Sequence, residues 1–154
     1  RNLAMPYTPA GIFLVDQWRQ IGVEVEHVQS DTGKYIATMA SGQFDVAIDF
    51  SNLFMDDSSL SLAKFLSKSR SPQNMSGSED PELDKLYDQH MRERDPEKRK
   101  ALIQAFEKRL FEQGYQQPLL WWHRIVPTHK VMMGWKMSPS HNLGQDLAEV
   151  WIQQ

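Results

Sequence analysis

The polar chemistry of this chain is densest in Ser51-Asn52-Leu53-Phe54-Met55-Asp56-Asp57-Ser58-Ser59. Ser51, Asn52, Asp56 and Asp57 supply hydroxyl, amide and carboxylate groups, with Phe54 and Met55 as apolar surface beside them. Such a mixture suits ligand capture, because a few polar groups fix orientation while apolar ones exclude water. The segment follows a predicted strand, and in open parallel sheets ligands bind outside the carboxyl ends of strands. The same residues also read as a helix start in which Asp56 or Asp57 caps a helix through Leu60; the two readings are compatible. Trp121-Trp122-His123-Arg124 is the second candidate. Neighbouring strand residues point to opposite faces, so one tryptophan enters the core and the other faces elsewhere. Beside a cleft it is a flat ligand platform, with Arg124 alongside; the other reading is that both tryptophans pack against helices. The candidate ligand contacts are therefore Ser51, Asn52, Phe54, Asp56, Asp57, Trp121, Trp122 and Arg124.

Other chemistries find no anchor. The five histidines, His27, His90, His123, His129 and His141, show no metal-ligand spacing and read as surface or partly packed. There is no cysteine and no Gly-x-Ser-x-Gly turn for a nucleophile, and Gly77 and Gly134 stand alone rather than in a phosphate loop. No catalytic residue, metal or cofactor is expected. Arg92–Lys100 (RERDPEKRK) mixes both signs of charge and reads as a solvated turn between helices. With 17 basic and 20 acidic residues the net charge is −3, which gives no electrostatic case for nucleic acid. No stretch is apolar for long enough to span a membrane. At 154 residues, 40% hydrophobic and 24% charged, the chain has the make-up of a single globular domain.

The elements that must position these groups follow from periodicity. Arg1–Met5, Val23–Gln29 and Phe44–Phe50 read as strands. Between them lie a helix over 9–20, with Ala10, Phe13, Leu14, Gln17, Trp18 and Ile21 inward, and a helix from the Asp31 cap to about Ala40, with Tyr35, Ile36 and Met39 inward. Gly22 and Ser41-Gly42-Gln43 are their stops. Short amphipathic crossovers of this kind imply parallel strands with right-handed connections. Further on, helices are predicted over Asp57–Ser67 (Leu62, Phe65 and Leu66 buried), Pro81–Arg94 (Leu83, Leu86, Tyr87 and His90 inward) and Pro96–Gln113 (Leu102, Ile103, Phe106 and Leu110 inward). Asp80 and Asp95 each precede a proline, so each can cap a helix whose first residue is that proline. Lys68–Glu79 reads as loop, Gln117–Arg124 as a strand and Val126–Gly134 as a short extended segment.

Landmarks along the whole chain resemble the family 5 extracytoplasmic solute-binding proteins of ABC importers, the peptide-, opine- and nickel-type binders. Phe13–Glu26 is similar to the family's helix, Ile-Gly and strand; Ser41–Ala47 to its small-Gly-x-aromatic-Asp turn into a strand; Asn74–Leu86 to its Asn…Gly…Glu-Leu-Asp-x-Leu; and Asp95–Arg99 to its Asp-Pro-x-x-Arg. Gln117-Pro118-Leu119, Gly134-Trp135 and Glu149-Val150-Trp151 match its late landmarks. The resemblance implies an α/β fold: a three-layer lobe of the type II periplasmic-binding-protein fold, with a central, mainly parallel sheet flanked by helices. It implies that residues 1–154 are the C-terminal lobe of a two-lobe clamp, with the N-terminal lobe, signal sequence and any lipid anchor upstream. The expected partners are then a small-molecule or peptide solute, the N-terminal lobe and the membrane permease of the importer, in a periplasmic setting and without nucleic acid. One departure bears on the solute. Peptide binders of the family place an aspartate shortly before an Asp/Glu-Pro pair after the third strand. Here Leu53 or Phe54 stands there and no proline follows Asp56 or Asp57. An opine, a sugar or another small solute is therefore as open as a peptide. The readings from other classes are a stand-alone α/β hydrolase-like enzyme, which needs a nucleophile–base pair or a metal site, and a protein-interaction domain using exposed tryptophans.

Overall fold

A computed structural model describes residues 7–49, 57–120, 125–137 and 147–153. The chain divides into two compact units, Arg1–Phe50 and Ser51–Gln154.

The first unit holds two helices, α1 (Tyr7–Gln20) and α2 (Thr32–Ser41). Both end in the same way. Gly22 (φ 82°) donates to the Arg19 carbonyl and Val23 to that of Trp18; Gly42 (φ 69°) donates to Met39 and Gln43 to Thr38. This paired bonding satisfies the last carbonyls of a helix and needs a left-handed residue, which glycine adopts without strain. Asp31 opens α2 by accepting from the Lys34 amide at 2.9 Å. Gly11 and Met39 are the buried residues of the two helices. Ala10, Leu14 and Trp18 are half-buried, but Phe13 and Gln17 on α1, Ile21 just after it and Ile36 on α2 are exposed, contrary to the faces predicted from spacing.

The second unit is built on three helices, α3 (Ser58–Ala63), α4 (Pro81–Arg92) and α5 (Pro96–Glu112). Leu62, Leu66, Leu83, Phe106 and Leu110 form its core, with Phe65, Leu86, Tyr87, Ile103 and Tyr115 packed around them. The inward faces predicted for α4 and α5 are the observed ones. α3 is shorter than predicted: after Ala63 the chain tightens into turns, Phe65 donating to Leu62 and Leu66 to Ala63. Two short strands, β1 (Met132–Met133) and β2 (Trp151–Ile152), pair antiparallel, Met132 opposite Ile152 and Met133 opposite Trp151. Gly134 (φ 79°) lets β1 end against β2's approach, since a side chain there would run into the Glu149 carbonyl.

The expected three-layer α/β lobe with a central, mainly parallel sheet is not the architecture. The described residues are mostly helical and their sheet is this single two-stranded ribbon. Residues 23–30 and 44–49 form no ladder. Alternation of Val23 and Val25 sets which side chains share a face, but a parallel ladder also needs a neighbouring strand about 4.8 Å away along its whole length. In place of a buried sheet face, Val23, Val25, Val28 and Val46 remain exposed. Of the predicted Gln117–Arg124 strand, residues 117–120 form none, and residues 121–124, like Arg1–Met5, lie outside the described residues.

Candidate functional site

Of the predicted ligand contacts, Ser51, Asn52, Phe54, Asp56, Trp121, Trp122 and Arg124 lie outside the described residues. Asp57 is described, and its surroundings form the most concentrated polar cluster bearing on the predicted site. Asp57 is the N-cap of α3: its extended backbone leaves the side chain free to accept from the Ser59 amide at 2.7 Å. Both carboxylate oxygens stand 3.1 Å from Nη2 of Arg99, in the first turns of α5. The same Nη2 donates to the Ser59 hydroxyl at 3.2 Å. Hydrogen bonds from the Ser59 hydroxyl and amide, then from Arg99, hold the Asp57 carboxyl down to about 2.

Arg99 reaches a third element. Its Nε donates to Nε2 of His90 on α4 at 3.1 Å, and the Ser58 hydroxyl stands 3.4 Å from the same nitrogen. An arginine N–H only donates, so Nε2 accepts and the neutral ring carries its proton on Nδ1. His90 is 1% exposed, and its Nδ1 has no hydrogen-bond partner among the described residues. Burial, then the Arg99 charge, push the imidazole below its ordinary range, against a weaker opposing pull from Asp57. The cluster contains a serine, a histidine and an aspartate, yet not in the order that activates a nucleophile. That arrangement requires the carboxylate on the imidazole nitrogen opposite the serine. Here Asp57 pairs with Arg99, and Arg99 occupies the nitrogen nearest Ser58. The arrangement ties α3, α4 and α5 together.

The Asn74–Leu86 landmark is equally self-contained. Asn74, 1% exposed, donates from Nδ2 to the carbonyls of Leu66 (2.8 Å) and Ser78 (3.0 Å) and to the Ser78 hydroxyl. Its Oδ1 accepts from the Ser76 hydroxyl at 2.7 Å and the Gly77 amide at 3.1 Å. Around it, Ser69 donates through amide and hydroxyl to Glu79, and Lys68 Nζ donates to the Pro72 and Asn74 carbonyls. Asp80, 2% exposed, caps α4 through the Glu82 and Leu83 amides and meets Nε of Arg109. Burial pushes its carboxyl up, but Arg109 and the two amides outweigh that and leave it below the usual range. Asp95 caps α5 in the same way, through Glu97 and Lys98. The landmark's polar side chains are thus bonded to their own loop and helix ends rather than directed to a ligand.

Arg99 is the residue that the spacing argument missed. It stood in the predicted solvated run, most of which is indeed exposed, but it turns inward to Asp57 and His90. The signal for it was the inward His90 and the Asp95-Pro96 start of α5, which together bring Arg99 back beside α4. Elsewhere, a shallow groove of about 250 Å³ in the first unit is lined by Val15, Arg19, Val23, Glu24 and Val25. It holds none of the predicted contacts. Among the described residues no group of acidic or histidine side chains could hold a metal ion, and no helix is long and apolar enough to cross a membrane. Comparison with protein-family models, with curated proteins and with solved structures returns no match for this chain.

Proposed function

We propose that this chain belongs to a solute-binding component of an ABC importer, in which it captures a small solute, peptide or peptide-like, for transfer to a membrane permease. The ordered set of landmarks from Phe13 to Trp151 carries the reading, with Asn74–Leu86 and Asp95–Arg99 as its most distinctive part. The reading rests on those sequence landmarks and not on a sheet. In the structure Asn74, Asp80, Asp95 and Arg99 each have a structural role that the chemical type explains. Asn74 needs both donor and acceptor faces, Asp80 and Asp95 need a carboxylate at a helix start, and Arg99 needs a fork long enough to reach two elements. The solute would then meet the segment before α3 and the tryptophan pair, outside the landmark itself. Binding of that kind works by biasing an open–closed equilibrium between lobes.

Native mass spectrometry of the full-length protein, purified gently from its own cells, tests the reading. A small-molecule adduct that disappears on unfolding, and that the purified protein rebinds in calorimetry, is the expected result. A full-length protein that carries no adduct, binds none of a panel of peptides, opines and sugars, and turns over an ester or amide substrate would replace it with the hydrolase reading.

A further inference from the structure

Buried histidines that accept a hydrogen bond from an arginine are unusual partners, because both side chains can carry positive charge. In the second unit His90 is such a residue. Its Nε2 receives the Arg99 Nε–H at 3.1 Å and faces the Ser58 hydroxyl at 3.4 Å, while its ring is shut off from solvent. Among the described residues, each packed element supplies an ionisable or charged group beside it. From the α3 cap comes Asp57, itself committed to Arg99; from α5 comes Arg99; from α4 comes Tyr87, its ring 6.0 Å from the imidazole.

We propose that His90 is a proton-operated latch: neutral, it locks the end of α4 to Arg99 and to the start of α3, and protonated, it releases them. The step is a single proton transfer from solvent to Nε2. The added N–H then points at the Arg99 N–H, so an acceptor is exchanged for a second donor at hydrogen-bond distance. The buried imidazolium then faces the Arg99 cation, with the Asp57 carboxylate as the only counter-charge described there, the Arg99 and Asp57 side chains being themselves 37% and 40% exposed. That carboxylate remains ionised, being held down to about 2. Arg99 therefore stays on Asp57 and Ser59 while losing α4. The imidazolium can regain hydration only by leaving its pocket, which loosens the last turn of α4. Burial and the Arg99 charge both favour the neutral, latched form. The latch is therefore closed at neutral pH and opens as the solution becomes mildly acidic. This holds whatever ligand the protein binds.

Nuclear magnetic resonance of the whole chain, with the His90 ring assigned through bonds, tests the proposal. Between pH 7.5 and 4.5 the ring is expected to be the Nδ1–H tautomer at the upper end and to titrate below the ordinary histidine range. Amide exchange corrected for intrinsic rate should become several-fold faster at pH 5 than at pH 7.5 in residues 87–94, and not in residues 104–110. In His90→Gln, whose side-chain oxygen can accept from Arg99 without titrating, that acceleration should vanish. An Nε2–H tautomer, titration at or above the ordinary histidine range, or unchanged exchange at 87–94 in the unsubstituted chain would each overturn the latch. These readouts on the unsubstituted chain decide the matter even if the variant does not fold.

Discussion

Nε of Arg109 stands 2.9 Å from each carboxylate oxygen of Asp80, so a side chain from the last turns of α5 closes the first turn of α4. The same carboxylate caps α4 by accepting from Glu82 and Leu83, and the Asp80 amide donates to the Ser67 hydroxyl at 2.9 Å. Three parts of the second unit thus meet at one buried residue. Asp80→Ala should destabilise this unit by about 2–4 kcal/mol, the sum of a lost cap and a broken buried ion pair after partial relaxation. Arg109→Ala should cost less, because the buried Asp80 carboxylate it leaves behind keeps the Glu82 and Leu83 amide donors and the cap survives. Urea denaturation of both single variants and the double variant gives the coupling, expected at about 1–3 kcal/mol. A coupling near zero would show the contact to be incidental.

Asn74 is the second point of high stake. Asn74→Ala removes five hydrogen bonds and leaves the buried Leu66 carbonyl without its donor. The expected loss is about 2–3 kcal/mol, set by the groups stranded rather than by the bonds themselves. Ser76→Ala, which leaves Asn74 Oδ1 its Gly77 donor and otherwise loses only exposed contacts to Ser78, should cost below about 1 kcal/mol. Thermal melts of the two variants rank them; equal losses would contradict the assignment.

Asp57 makes the acid response predictable in sign. Its folded-state carboxyl lies at about 2, below the ordinary value of 3.8. A depressed carboxyl contributes stability that is whole above the unfolded value and is lost as pH falls from about 4 toward 2. Asp80 moves in the same direction and adds to the loss in the same acid region. Stability measured against pH should therefore fall in that window, and Asp57→Asn should flatten its lower part. A variant with an unchanged pH profile would exclude the Arg99 and Ser59 contacts as the cause.

In the first unit Gly11 carries the sharpest steric demand. A Cβ there would sit 2.5 Å from Nε2 of His27. Glycine to alanine inside a helix normally stabilises by about 1 kcal/mol. Here Gly11→Ala must displace the His27 ring, so it should stabilise by clearly less than that, and combining it with His27→Ala should restore the full gain. Helicity followed by circular dichroism on heating separates the two cases, since a full gain from the single substitution would place the imidazole elsewhere.

What could be read from residues alone divides by range. The caps Asp31, Asp57, Asp80 and Asp95, the stops Gly22 and Gly42, and the buried faces of α4 and α5 depend on side chains a few positions apart. All were legible. The parallel sheet was not a local property: Val23–Gln29 and Phe44–Phe50 have strand-like patterns, but pairing depends on distant segments. The exposed Phe13 and Ile36 show the same limit, because spacing locates an apolar stripe without showing what covers it. At the site, Asp57 was legible as a cap and candidate contact. Its pairing with Arg99 was not, since the two are separated by the whole of α4 and the loop before it. His90 was legible as inward-facing, but its bond to Arg99 depended on the turn between α4 and α5.

That turn has a consequence for the order in which the chain assembles. Glu93 bonds through its carboxylate to the amides of Arg94 and Asp95, and Asp95 then opens α5. Every group needed to end one helix and begin the next lies within a few residues, so the α4–α5 hairpin closes without waiting for distant partners. Contacts of such short loop length form on the microsecond scale. The hairpin should be the first region to gain exchange protection in a refolding experiment, with Asp57 and α3 joining once Arg99 is already in place. The residue that links the three helices is thus delivered by the part of the chain that folds soonest.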